Sequence, residues 1–275
     1  MICWNAHAHT TTSDGDLSAP ELIRKAAGEG LCGLTITDHY PYPFSPNDRS
    51  SWEKGLEIFQ RHLENLGELQ ENVMGIELLK GIEIEFVDPP QALEGYLRRL
   101  ELDFVLGGVH AVDGWIVDWS DEVFQRAEQA FGSFIVAIQK YFQAVGDMAE
   151  SGLVDSLAHP DLVKKYNPQS RYFNEEVTWY REAVEQCLER VARSGVALEV
   201  NTGGLRGPVK DLYPSRWILS RARELGIPAT VGTDFHRSSG QVGAGLEAAG
   251  AALRAAGYDS YLLFRKRKPE KINII

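Results

Sequence analysis

Six of the seven histidines in this 275-residue chain stand where imidazole could do chemistry. His7 and His9 (AHAHT), His39 (TDHY), His110 (GGVHA), His159 (LAHPD) and His236 (GTDFH) each follow a short apolar run. His62 falls inside a helical pattern and reads as an ordinary surface or partly buried helix residue. Carboxylates accompany the six: Asp14, Asp38, Glu83 (KGIEIEF), Asp161 and Asp234. A lone histidine at a strand end is usually a satisfied structural residue. Gathered at one mouth, however, six neutral imidazoles and several carboxylates would repel or go unsatisfied unless cations held them. Imidazole plus carboxylate with no thiolate suits Zn²⁺, Mn²⁺ or Fe²⁺. Alternate residues of an extended strand share a face, so His7 and His9 can reach one ion.

Such a gathering needs a scaffold that brings distant residues to one rim. Strands are expected at Ile2–Ala6, Leu34–Thr37, Glu77–Ile84, Phe104–Val109, Ser156–Ala158, Ala197–Val200 and Ala229–Gly232. Helical periodicity fills the gaps between them. One helix starts at the capping box Ser18/Glu21, a second runs from about Glu122 to Ala149, and a third from about Ser215 to Leu225 stops at Gly226 with Pro228 beyond. Apolar strands alternating with helices mean a parallel α/β sheet. Seven βα units in this length fit a single-domain barrel better than an open sheet, and a parallel barrel opens all its strand C-termini onto one face. The Pro-rich Tyr40–Pro46 stretch reads as a long substrate-facing loop.

Composition narrows the function. Lys+Arg 28 against Asp+Glu 39 gives a net charge of −11, a field that disfavours broad nucleic-acid or anionic-membrane binding. An anionic substrate would therefore need a local reversal of sign. Three cysteines without CxxC spacing (Cys3, Cys32, Cys187) fit free, packed thiols in a reducing compartment. The opening MICWNAHAHT has neither a basic start nor a long apolar run, and no stretch reaches the roughly 18 apolar residues of a membrane span. A cytoplasmic protein is expected.

The segments HAHTTTSDG, LTITDHYP, KGIEIEF, GGVH, AHPDL, EVNTGGLR and GTDFH together resemble the PHP (polymerase and histidinol phosphatase) superfamily. EVNTGGLRGPVKDLYPSRWILSRARELGIPATVGTDFHR, with LAHPDLVKKY, is similar to its histidinol-phosphatase branch. The resemblance implies a distorted (β/α)7 TIM-like barrel over residues 1–275, with three divalent metal ions at its mouth. Carried over residue by residue, it implies His7, His9, Glu83 and Asp234 around the first ion. Glu83 would bridge to a second ion with His110 and His159, and Asp14, His39 and His236 would hold the third. Many members of that branch carry a histidine just after the first motif. This chain has Ser13-Asp14-Gly15 there, as other branches do.

A cluster of divalent ions makes phosphoester hydrolysis the natural chemistry. Two ions about 3.5–4 Å apart can share a hydroxide and aim it at phosphorus, and a third can offset charge on the phosphoryl oxygens. Arg206, Arg171 and Arg237 are the candidate phosphate clamps, since a guanidinium offers a bidentate fork. Glu83, Asp234 and His236 stand nearest the chemistry. Asp38 and Asp161 are expected either to orient ligand imidazoles or to protonate the leaving oxygen. Tyr40, Tyr42, Phe44 and Trp115 could line the leaving-group pocket. The expected reaction is a metal-dependent phosphomonoester hydrolysis of L-histidinol phosphate. Alternatives are a nucleotide, an oligonucleotide 5′ end or a phosphotyrosine substrate at the same site, or a metal-binding module without turnover.

Overall fold

In the computed structural model, residues 2–41, 49–72 and 75–274 are described. The barrel strands are β1 (Trp4–Asn5), β2 (Gly33–Ile36), β3 (Glu77–Glu85), β4 (Phe104–Gly108), β5 (Ser156–Leu157), β6 (Ala197–Asn201) and β7 (Ala229–Gly232). Each lies within a residue or two of its sequence expectation. They pair in chain order, every pair parallel. The first and last strands meet through Ala6 N–H to Val231 O (3.1 Å) and His9 N–H to Phe235 O (2.9 Å), which nearly closes the barrel. The strands are buried on both faces, and this is why they read as continuous apolar runs.

One interruption bears on the site. β2 pairs with the lower half of β3, and after a break at Thr37–Asp38 the chain resumes pairing at His39↔Glu83. Asp38 therefore sits at an irregular point of the barrel wall, its carbonyl still accepting Glu83 N–H at 3.1 Å, directly before His39.

Seven longer helices among the described residues surround the strands: α1 (Ala19–Gly28), α2 (Arg49–Asn72), α3 (Asp121–Phe131), α4 (Phe134–Glu150), α5 (Thr178–Ser194), α6 (Arg216–Glu224) and α7 (Leu246–Ala255). The single helix expected from Glu122 to Ala149 is two. Gly132 ends α3 in the left-handed conformation (φ 76°), and Ser133 starts α4 by accepting Val136 N–H at 3.2 Å. The apolar stripe continues across this joint, so periodicity alone hides it.

The far end of the barrel is covered by an antiparallel hairpin of β8 (Ser260–Arg265) and β9 (Lys268–Asn273). Phe264 stacks on Phe104 at 5.3 Å, and Arg265 and Arg267 pair with Glu77 and Asp155 near the strand starts. Depth at the mouth is thus bounded by a packed floor.

The cysteine expectation needs correction. Cys3 and Cys32 form a disulfide, and only Cys187 is free and buried. The reason is register: Trp4 pairs with Gly33, so the residues just before them face each other with Cα atoms 5.3 Å apart, within disulfide range.

Candidate metal centre

The strand ends bring the nine proposed ligands together. Glu83, near the end of β3 and fully buried, lies at the centre. Its Oε2 is 3.1 Å from His7 Nε2, 3.4 Å from His9 Nε2 and 3.3 Å from His39 Nδ1. Its Oε1 faces the other way, 3.1 Å from His159 Nε2 and 3.7 Å from His110 Nε2. One carboxylate thus spans two sets of imidazoles, the arrangement a bridging ligand needs. Asp234 Oδ1 is 3.5 Å from both His7 and His9 Nε2. Asp14 Oδ1 is 3.2 Å from His236 Nε2 and 3.8 Å from His39 Nε2. His9 lies between these groups: its Nδ1 is 3.8 Å from Asp14, and its ring stacks on His236 and His39 at 4.0 and 4.4 Å. Among the described residues, four sets have mutually close donor atoms: His9–Asp14–His39–His236, His7–Glu83–His159, His7–His9–Asp234 and His39–Glu83–His110.

The backbone is shaped to this purpose. His159 and Asp234 hold left-handed φ values of 26° and 54°, a conformation that costs non-glycine residues about 1–3 kcal/mol and gathers at functional sites. Two glycines make room. A Cβ on Gly108 would lie 2.5 Å from Glu83 Oε1, and one on Gly232 would lie 2.0 Å from Glu199 Oε1.

The residues fit divalent cations on their own geometry. His7 Nδ1 lies 2.7 Å from Glu199 Oε1, so in the neutral ring the proton belongs on Nδ1 and Nε2 is the nitrogen that can take an ion. Nε2 faces His9 Nε2 at 2.9 Å and the Glu83 carboxylate. His110 repeats the pattern, with Nδ1 on Glu85 Oε2 at 2.7 Å and Nε2 turned to Glu83. His9 Nδ1 and His159 Nδ1 are buried without a hydrogen-bond partner. Imidazole nitrogens and carboxylate oxygens converging at these distances are what a cation resolves.

The electrostatics agree. Burial opposes ionisation of Glu83, yet the surrounding His39 and His7 hold its carboxyl well below the usual range. Asp234 is likewise held down, against burial, by His7 and His236. His9 is pushed down to about 3, first by burial and then by neighbouring His236 and His39. Against burial, His7 is raised well above its usual value by Glu199 and Glu83, and His110 is raised to about 10 by Glu85 and Glu83; the carboxylates draw a second proton to each ring, at the Nε2 position where a bound ion would replace it. The cluster thus holds ionised carboxylates among imidazoles, a donor set suited to metals.

Glu85 and Glu199 were not among the expected site residues. Glu199 also accepts His159 N–H (3.0 Å) and Asn201 Nδ2 (2.8 Å), tying three strand ends to one carboxylate. The signal was available: Glu85 is two residues from Glu83 and shares its face, and a glutamate inside a strand buried on both sides needs a partner.

Asp38 and Asp161 do not take the roles expected of them. Asp38 accepts Thr10 N–H (2.7 Å), Thr10 Oγ1 (2.7 Å) and Ser13 Oγ (2.6 Å), and its Oδ2 is 3.1 Å from His62 Nε2. None of these partners is a proposed ligand histidine. Burial raises its pKa, but His62 and these donors bring it down to about 2, so it has no proton to give. Asp161 binds Ser215 N–H (2.8 Å) and fully buried Lys164 (3.1 Å), anchoring the loop after β5 to the segment before α6.

A cavity of about 390 Å³ opens above the cluster, lined by Arg206, Lys165, Asp118, Trp119 and Tyr213 among others. Arg206 is held by the Thr233 and Asp234 carbonyls, beside the proposed ligand. Arg237 lines the rim but is exposed and paired with Asp16 at 3.0 Å. Arg171 does not line the cavity, because Asp121 (3.1 Å) and the Tyr172 ring (4.8 Å) hold it outside. Trp115 packs on Phe124 and Phe131, and Tyr40 is buried with its hydroxyl on Trp52 O, so neither lines this cavity. Tyr42 and Phe44 lie outside the described residues.

Comparison with known proteins shows the family and the fold. The chain is 30% identical over 96% of its length to a probable histidinol-phosphatase of Deinococcus radiodurans, covering 97% of that protein. It is 25% identical over 83% of its length to the histidinol-phosphatase of Bacillus subtilis, covering 90% of it. Among solved structures, a histidinol phosphate phosphatase of Lactococcus lactis complexed with zinc, L-histidinol and phosphate shares the fold. Its TM-score is 0.78 at 20% identity, over 98% of this chain and 99% of that one. The family model described as PHP domain matches residues 5–203. With most of its length matched, the chain belongs to the PHP domain family.

Proposed function

We propose that this protein is a phosphomonoesterase that hydrolyses L-histidinol phosphate with the help of three divalent ions, drawn from Zn²⁺, Mn²⁺ and Fe²⁺. It acts as one PHP-type domain over residues 1–275, in the cytoplasm, on a small phosphorylated substrate. The observation that carries the reading is the bipolar, fully buried Glu83 carboxylate, with imidazoles on both oxygens, two of which (His39 and His159) line a cavity together with Arg206. The names of the relatives over nearly the whole chain supply the substrate.

In this reading His7, His9, Glu83 and Asp234 hold one ion, Glu83, His110 and His159 a second, and Asp14, His39 and His236 a third. Bound there, divalent ions supply an activated water and positive charge for phosphoryl oxygens. Glu199 and Glu85 fix the tautomers of His7 and His110, so that each presents Nε2 inward. Arg206 presents its guanidinium to the phosphate, and Arg237 is a weaker rim contact. The fixed cations explain how a chain of net charge −11 can hold a phosphate. Asp118, 3.2 Å from Lys165, and Trp119 form the wall toward the leaving group. They offer a carboxylate and an indole to the amine and imidazole of histidinol. Water adds across the P–O bond, and the leaving oxygen takes a proton.

No helix among the described residues is long and apolar enough to cross a membrane. The test is a substrate panel with purified, metal-loaded protein. Histidinol phosphate should be turned over with a kcat/KM well above that of nucleotides, 5′-phosphorylated oligonucleotides or phosphotyrosine peptide. Equal or faster phosphate release from any of these would remove the assignment.

A further inference from the structure

We propose that His62 is a positioning residue for the Asp14–His39–His236 group, acting through Asp38 and Thr12; this rests on the metal-centre reading above. α2 carries His62 over the turn at residues 10–14, where the imidazole is buried against Phe59, with ring centroids 5.7 Å apart. Its Nδ1 is 2.9 Å from Thr12 Oγ1 and its Nε2 is 3.1 Å from Asp38 Oδ2. Nδ1 is hydrogen-bonded to the Thr12 hydroxyl, and Nε2 lies against the Asp38 carboxylate without the alignment of a hydrogen bond, a buried contact of N–H and carboxylate rather than a full bond.

Asp38 is the hub of this arrangement. An ionised carboxylate has about four acceptor sites. Thr10 N–H, Thr10 Oγ1 and Ser13 Oγ occupy three, and His62 faces the fourth. The first three donors belong to the turn that ends in Asp14. Asp38 itself stands in the break of the second strand, one residue before His39. Two members of one group, Asp14 and His39, are therefore tied to the same carboxylate, and His62 buttresses it from a different element. Asp14 reaches its histidines across 3.2–3.8 Å from a partly exposed turn, so it depends on that anchorage for its position. Ligand geometry of this kind has to be held to about 0.5 Å.

The experiment compares metal retention against a graded chelator, by elemental analysis, with kcat and KM on an aryl phosphate. It uses wild-type protein, His62→Leu, His62→Gln and Thr12→Val. His62→Leu should retain metal about 10–100-fold less tightly, as loss of a partner behind a ligand does, with kcat falling more than KM rises. His62→Gln, whose amide can replace part of the contact, should recover part of both. Thr12→Val should move in the same direction by less, and it decides the matter if His62→Leu does not fold. Wild-type retention in folded His62→Leu, or in Thr12→Val when that variant stands alone, would overturn the proposal. So would a His62→Gln variant as impaired as His62→Leu. A wild-type protein that retains no metal would overturn the metal-centre reading itself.

Discussion

Glu199→Gln is the most informative single substitution, because it keeps shape and changes one proton. Glu199 is 1% exposed, and its two oxygens serve opposite partners. Oε1 takes the Nδ1 proton of His7 at 2.7 Å, while Oε2 takes His159 N–H at 3.0 Å and Asn201 Nδ2 at 2.8 Å. A glutamine has one acceptor oxygen and one donor amide. If the amide turns to His7, Nδ1 must become an acceptor and the ring proton moves to Nε2, which removes the lone pair aimed into the cluster. If the amide turns the other way, it meets two donors and both bonds are lost. Either orientation removes at least one hydrogen bond to a charged group, worth about 1.5–3 kcal/mol. At 1.4 kcal/mol per tenfold, that is roughly a 10–150-fold weaker hold on metal. The assay is competition with a chelator, read by elemental analysis, alongside turnover of an aryl phosphate. A Glu199→Gln protein that holds metal and turns over like wild type would refute the claim that this carboxylate sets the His7 tautomer.

Arg206→Ala should raise KM for phosphate esters about tenfold or more with metal content intact, whereas Arg171→Ala should leave KM within about twofold; steady-state kinetics on both variants check this. In Gly108→Ala the new methyl meets Glu83 Oε1 at 2.5 Å and His110 Cε1 at 2.6 Å. Overpacking there should cost about 1–3 kcal/mol in urea unfolding and lower metal retention. Thiol titration in denaturant without reductant should find one reactive cysteine per chain, Cys187, and three after reduction. Burial pushes the Cys187 thiol up to about 12, so native protein at pH 8 should resist alkylation.

The barrel was legible because strands buried on both faces are continuous apolar runs, and all but the Ala197–Val200 strand end at or beside a histidine or carboxylate. Convergence of the proposed ligands then followed from the rule that parallel strands open onto one rim. What stayed hidden depends on packing between elements. His62 reads as a plain helix residue until α2 is placed over the first turn, where it meets Asp38. Asp161 looks like a site residue from its neighbour His159, yet Lys164 and Ser215 claim it. Arg171 is close in sequence to the mouth but is drawn outward by Asp121. Cys3 and Cys32 become partners only once the register of β1 and β2 is known.

The central claim is that these side chains hold divalent ions at the barrel mouth. Anomalous scattering from crystals grown with manganese or zinc and soaked in phosphate tests it directly. The account predicts peaks on both sides of the Glu83 carboxylate and a further peak among Asp14, His39 and His236, with phosphate density reaching toward Arg206. Peaks confined to other surfaces, or a metal-loaded crystal with no peak within bonding distance of Glu83, would contradict it.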